Sequence, residues 1–207
     1  MNPPVYVWDK FVRLFHWSLV ALFAFSYATG ESESIVHIYS GYLITALVLS
    51  RILWGFIGSR HARFRDFIFS PATIISYSKS LLQGNPAHYS GHNPLGGLMV
   101  VALLATLLLT TFSGMKLYAV EEGKGPLATA PAALLVPTAQ ADSDDHDRRK
   151  KHADDEDEEL WEEIHEASVN LMLLLILLHV AGVIFSSRLH RESLVKAMLS
   201  GYKQPPR

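Results

Sequence analysis

The chain has 207 residues, of which 49% are hydrophobic and 18% charged; it has no cysteine and a formal charge of −2. Without cysteine there are no disulfides, no thiolate metal sites and no covalent cofactor attachment through a C-x-x-C-H motif. Charges vanish from four long stretches and crowd between them, which excludes a disordered chain, a basic nucleic-acid-binding surface and an ordinary soluble enzyme.

The first apolar stretch covers residues 14–30, LFHWSLVALFAFSYATG. Its end is small enough for signal cleavage. However, Trp8, Phe11 and Phe15 crowd what would be a short basic leader, and His16-Trp17 interrupts the run, so the span reads as retained. The second stretch, 35–58, carries one interior charge, Arg51. Between spans two and three, residues 59–93 include SPATIISYSKSLLQG. There Ser70 can cap a helix with Pro71 in its first turn, Ile74, Ile75, Leu81 and Leu82 give an amphipathic face, and Gly84-Asn85-Pro86 ends it. Such a helix suits the inner membrane face. The third stretch, 94–120, has only Lys116, near its end, and the fourth, 167–187, has no charge. A hydrocarbon core of ~30 Å needs ~20 apolar residues in a helix. LMVVALLATLLL and LMLLLILLHVAGVIF are apolar all round, where a soluble helix would keep a polar face. The expected fold is all-α: a single membrane domain, a four-helix transmembrane bundle with a short inner interfacial helix and a long outer acidic loop over 121–163. Within that loop, residues 125–141 are rich in Pro and Ala and expected to be irregular. Residues 142–159, DSDDHDRRKKHADDEDEE, are a charged insert expected to be disordered. His146 and His152 in it have carboxylates around them and suit a divalent cation, although such charge runs are usually solvated.

Orientation follows from Lys and Arg. The N-terminal segment, residues 59–93, the C-terminal segment and Arg51 together hold 12 of the 18 basic residues; the other side holds 17 of the 20 acids. The basic side is expected to be cytoplasmic, with both termini inside and the 121–163 loop outside, in a multi-pass protein of a bacterial inner membrane.

Ionisable side chains at membrane depth are costly and usually functional. Four histidines meet that description: His16 in the first span, His37 at the outer start of the second, His165 at the outer start of the fourth, and His179 within it. His165 and His179 are 14 residues apart, about 21 Å of rise and roughly 40° short of four full turns, so they share a face. Depth pairs His37 with His165 outside and His16 with His179 inside. Two facing histidines with no nearby carboxylate or cysteine suit bis-imidazole haem iron, whereas zinc would want a third or fourth ligand. Gly41 lies one turn from His37 and Gly182 three residues from His179; each either leaves room for a porphyrin edge or permits close helix packing. Arg13 and Arg51 lie at the inner level and either pair with haem propionates or snorkel to headgroups; Arg51 shares a helix face with His37. His61, His88, His92 and His190 are expected at the surface, with His88 or His92 available to help at a quinone site.

Three segments carry a resemblance: VYVWDKFVRLFHWSL (5–19), HIYSGY (37–42) and EIHEASVNLMLLLILLHVAG (163–182). Together they resemble the bacterial cytochrome b561 and nickel–iron hydrogenase b-type cytochrome family, and GMKLYAVEEGKGPLA (114–128) is similar to that family's segment after the third helix. The resemblance covers nearly the whole chain outside 142–159. It implies two haem b groups ligated by His16, His37, His165 and His179. It also implies electron transfer between a periplasmic redox protein, hydrogenase-like or a c-type cytochrome, and the membrane quinone pool, with quinone handled near Arg51 and residues 59–93. The charged insert departs from the family pattern and either docks a partner or has no role. The alternatives are a stand-alone haem oxidoreductase of the superoxide–quinone or ferric reductase type and a metal-ion transporter. The transporter is disfavoured because no acid lies inside the spans.

Overall fold

A computed structural model of the protein describes residues 4–30, 34–128 and 144–203. Four of its helices are long and apolar enough to cross a membrane: α1 (Lys10–Ala28), α2 (Ile35–Ile57), α5 (Pro94–Glu121) and the Glu156–Leu189 part of α6 (Asp144–Leu189). Between α2 and α5 lie a 3₁₀ turn (Arg60–Ala62), the one-turn α3 (Phe64–Phe67) and α4 (Pro71–Leu82). A short helix, α7 (Leu194–Ser200), follows α6. The bundle is the expected all-α membrane architecture.

Side-chain caps set the helix starts by satisfying amide groups that have no partner within the helix. Asp9 accepts from the Val12 amide at 2.8 Å, Ser70 from Thr73 at 3.2 Å and Asn93 from Gly96 at 2.7 Å. Pro71 and Pro94 occupy first-turn positions, where a missing N–H costs nothing. The α4 helix therefore lies where the Ser70-Pro71 signal put it.

The spans pack in a row, α1 on α2, α2 on α5 and α5 on α6, while α6 makes little backbone contact with α1 or α2. Their shared core is Phe15, Ile44, Val48, Leu104, Leu107 and Met172. Gly97 permits α3 to lie directly on α5, because a Cβ there would collide with the Phe67 carbonyl. On the opposite, outward faces large apolar side chains such as Leu53, Phe56 and Leu177 stay exposed, as lipid contact requires.

The end of the bundle that carries both terminal segments is tied together by polar contacts. Asp9 Oδ2 accepts from Trp54 Nε1 at 3.0 Å and from the Ser59 hydroxyl, joining the start of α1 to the end of α2. Two short strands, β1 (Val5–Tyr6) and β2 (Tyr202–Lys203), pair antiparallel. Gly201 makes the turn into β2 at φ 91°, and its carbonyl accepts from the Val7 and Trp8 amides at 2.8 and 3.1 Å. Lys203 and Glu192 form a buried pair at 3.2 Å, and Lys203 also donates to the Tyr89 carbonyl at 3.2 Å.

One boundary is corrected. The insert 142–159 was expected to be disordered, but α6 starts at Asp144 and runs through it into the span. A physical reason is visible in the sequence. Asp144, Asp145 and Asp147 precede Arg148, Arg149 and Lys151 by four residues, the spacing and order that support a helix. The outer loop is correspondingly shorter than 121–163. Residues 129–143, which include most of the Pro- and Ala-rich stretch, lie outside the described residues, as do the side chains of His146 and His152.

Candidate functional site

The four intramembrane histidines meet as two pairs. His37 on α2 faces His165 on α6 with ring centroids 6.3 Å apart and planes at 90°. His16 on α1 faces His179 on α6 with centroids 6.4 Å apart and planes at 51°. The shared helix α6 sets the two levels, about 21 Å apart along its axis for 14 residues. Both pairs bridge helices with little backbone contact between them.

At the first pair the proton positions can be worked out. His37 Nδ1 lies 2.9 Å from the Ser26 carbonyl, and His165 Nδ1 lies 3.0 Å from the Thr110 carbonyl. A carbonyl only accepts, so each Nδ1 carries a proton, and in the neutral imidazole each Nε2 keeps its lone pair. This is how a metal-binding histidine is oriented: one ring nitrogen is anchored on a backbone carbonyl and the other is left to ligate. Ser113, fully buried on α5, adds a contact to His165 Nδ1 at 3.2 Å. At the second pair, His16 Nδ1 is shielded from solvent and has no hydrogen-bond partner. The His16 ring stands edge-on to Trp17 at 5.0 Å.

A flat macrocycle fits these gaps. Two metal–imidazole bonds of about 2 Å, with the ring radii added, place the two centroids of a bis-imidazole pair about 6 Å apart, as both pairs are. A Cβ built on Gly41 or Gly182 would meet nothing within 4 Å, so both glycines border open space. On the other side of His165, Gly114 is needed for close approach: a Cβ there would lie 2.9 Å from the imidazole Cε1. Among the described residues no three His, Cys, Asp or Glu gather into a metal cluster, which suits a metal with a four-nitrogen macrocycle of its own and leaves zinc short of ligands.

The two arginines singled out from the sequence have different surroundings. Arg13 donates from Nη1 to the Leu199 carbonyl and so ties α1 to α7, with Trp17 Nε1 on the Met198 carbonyl at 3.4 Å beside it. Arg51 is 3% exposed, lies over Phe64 and Phe67 at 5.8 and 5.9 Å, and its Nη1 is buried without a partner. Sequence reading also placed His92 at the surface, and that is corrected. Its ring packs on Trp8 at 4.6 Å and Phe67 at 5.0 Å, and its Nδ1 is buried without a partner. Burial, helped by the positive charge of Arg51, holds the imidazole well below the usual histidine range, so it is neutral at pH 7. Only its place just before the Asn93-Pro94 helix start could have signalled this, because α3 and the segment between β1 and α1 bring its neighbours from elsewhere in the chain. His61 is paired with Asp66 at 2.8 Å, and His88 sits 3.8 Å from Glu192 and edge-on to His190 at 5.0 Å.

Two facing imidazole pairs in a four-span bundle are an arrangement that suits b-type haem. The family model of the prokaryotic cytochrome b561 matches residues 7–201, and the chain belongs to that family. It is an integral membrane, electron-transferring protein that binds b-type haem. Similar curated proteins are the probable Ni/Fe-hydrogenase B-type cytochrome subunits of Azotobacter vinelandii and Azotobacter chroococcum. They are 24% and 25% identical, each over 96% of this chain and 88% of the relative. That of Bradyrhizobium diazoefficiens is 23% identical over 98% of this chain and 87% of the relative. No solved structure matches the chain.

Proposed function

We propose that the protein holds two haem b groups, one between His37 and His165 and one between His16 and His179, and connects a periplasmic hydrogenase-like partner to the quinone pool. The observation that carries this reading is the pair of facing imidazoles at each level, 6.3 and 6.4 Å apart. Bound there, each haem supplies a one-electron couple, and two couples at different depths serve transfer across the bilayer. The chain's own part is to fix the ligands. The Ser26 and Thr110 carbonyls orient His37 and His165, the glycines at 41 and 182 leave room for the ring edges, and the α5–α6 packing holds the two levels apart. Arg51, with its unpaired Nη1, is a cationic partner for a propionate at the inner level.

The similarity to hydrogenase B-type cytochrome subunits favours a hydrogenase as partner over a c-type cytochrome. The excess of Lys and Arg at the end carrying both terminal segments supports a cytoplasmic location for that end in a bacterial inner membrane. Quinone then meets the protein at that end, near Arg51 and residues 59–93, where His92 offers a further buried polar group.

The test uses native membranes. Hydrogen added under anaerobic conditions should reduce the b-type haem absorbance, and a quinone-site inhibitor should slow its reoxidation. The protein should also co-purify with a hydrogenase. Haem that stays oxidised under hydrogen while dithionite reduces it would refute the hydrogenase link, and haem reoxidation indifferent to every quinone analogue would refute the quinone link.

A further inference from the structure

We propose that the arginine-rich turn between α2 and α4 is a binding site for the phosphate of an anionic phospholipid, with the lipid's acyl chains lying along the exposed face of α2. This inference is independent of how the histidine pairs are used.

Arg60, Arg63, Arg65 and Asp66 line an open cavity of about 470 Å³ just beyond the end of α2. The single carboxylate there is already engaged: Asp66 lies 2.8 Å from His61 and 3.8 Å from Arg60. Among the described residues, neither Arg63 nor Arg65 has a carboxylate partner. Arg63 is held in place by its Nε, which donates to the Gly58 carbonyl at 2.7 Å. The cavity is thus cationic overall, with one guanidinium pre-positioned. Guanidinium groups match a phosphate's oxygens in a planar, often bidentate arrangement.

The surroundings identify the source of the phosphate. Ile57, 74% exposed, and Phe56, 68% exposed, end α2 beside the cavity, and Ile68, 58% exposed, follows Asp66 on the other side. Leu53, Phe56 and Ile57 are three and four residues apart, so they form one strip running from the cavity into the membrane-spanning part of α2. A free phosphate ion would use the arginines and ignore this strip. A phospholipid uses both, with its headgroup on the arginines and its acyl chains on the strip. The positive cavity favours an anionic headgroup over a zwitterionic one, as basic pockets beside membrane helices do generally.

The experiment is native mass spectrometry of the full chain, delipidated in detergent and then given phosphatidylglycerol or phosphatidylcholine. The wild type should retain phosphatidylglycerol at least about fivefold more than phosphatidylcholine, and millimolar inorganic phosphate should not displace it. The triple variant R60Q/R63Q/R65Q should lose that preference while keeping the wild-type helical circular dichroism. Because Arg63 also braces the Gly58 carbonyl, the double variant R60Q/R65Q, whose guanidinium groups make no backbone hydrogen bond among the described residues, decides the matter if the triple variant misfolds. Equal retention of the two lipids by the wild type would overturn the proposal, as would unchanged phosphatidylglycerol preference in the double variant. Full displacement by inorganic phosphate would show a free-anion site instead.

Discussion

Gly114→Ala is a small change on α5 that should act on a ligand carried by α6. A methyl group there would sit 2.9 Å from His165 Cε1 and 3.1 Å from Nδ1. Ordinary carbon contacts lie at about 3.5–4.0 Å, so the imidazole must retreat by roughly 0.5 Å. It cannot do so freely, because its Nδ1 is anchored on α5 itself, 3.0 Å from the Thr110 carbonyl and 3.2 Å from the Ser113 hydroxyl. The ring therefore either keeps the anchor and bears the clash or gives up the anchor. Overpacking of this kind costs about 1–3 kcal/mol, and losing the group that orients a metal ligand costs about 10–100-fold in affinity. The assay is an optical redox titration of the purified protein with haem quantification. One haem should fall in occupancy or shift in potential, while the haem at His16 and His179 keeps its spectrum. Two unaltered haems in Gly114→Ala would refute the idea that the contact between α5 and His165 sets ligand position.

Other expectations follow from the same geometry. Gly41→Leu and Gly182→Leu enter space that is open around the protein atoms, so they should lower haem retention while sparing the helical fold; normal haem content in both would show that the glycines do not border the macrocycles. Asp9→Ala removes the α1 cap and the acceptor shared by Trp54 and Ser59, and thermal denaturation should show a loss of about 2–4 kcal/mol, from a cap plus hydrogen bonds to a charged group. Burial alone would push the Asp9 carboxyl up, but hydrogen bonds from Ser59, Trp54 and the Val12 and Phe11 amides outweigh it and hold it below the usual range. Its contribution is therefore complete above the ordinary carboxylate pKa and is lost as pH falls through the lowered folded value. The acid limb of the stability–pH curve should be flatter in Asp9→Ala, and an identical limb would contradict this. Finally, deleting 142–159 removes much of the acidic charge outside the spans. If that charge steers a basic partner, electron transfer from the native donor should slow at low salt and lose its salt dependence, and an unchanged rate would show that the block takes no part in docking.

Much of this architecture was legible because membrane proteins write their constraints locally. Strongly apolar runs of about 20 residues mark spans whatever the tertiary packing, and a Ser-Pro or Asn-Pro pair marks a helix start. The histidine pairs were legible for a related reason. A helix of fixed rise turns sequence distance into depth, so His165 and His179 had to lie at two levels on one face. What stayed hidden depends on distant segments. His92 packs on Trp8 and Phe67, which reach it from the segment between β1 and α1 and from α3. Asp9 looks like an ordinary cap, and its second role appears only when Trp54 and Ser59 arrive from the end of α2. Arg13 spends its guanidinium on a carbonyl 186 residues away, and the two-residue strands carry no periodic signal at all. The acidic run misled because net charge suggests a solvated coil, whereas its alternating blocks at four-residue spacing support a helix continuous with the span.

The central claim is that the histidines form two bis-imidazole sites, and haem counting in single-ligand variants tests it most directly. Pyridine haemochrome analysis of the purified protein should give about two non-covalent haem b groups per chain, all extractable by acid–acetone, because no cysteine is present to hold them. Histidine-to-alanine variants at 37 and 165 should each retain the same single haem, and those at 16 and 179 should each retain the other one, told apart by spectrum and potential. A wild-type ratio near one, or loss of the same haem in His37→Ala and His179→Ala, would contradict the account.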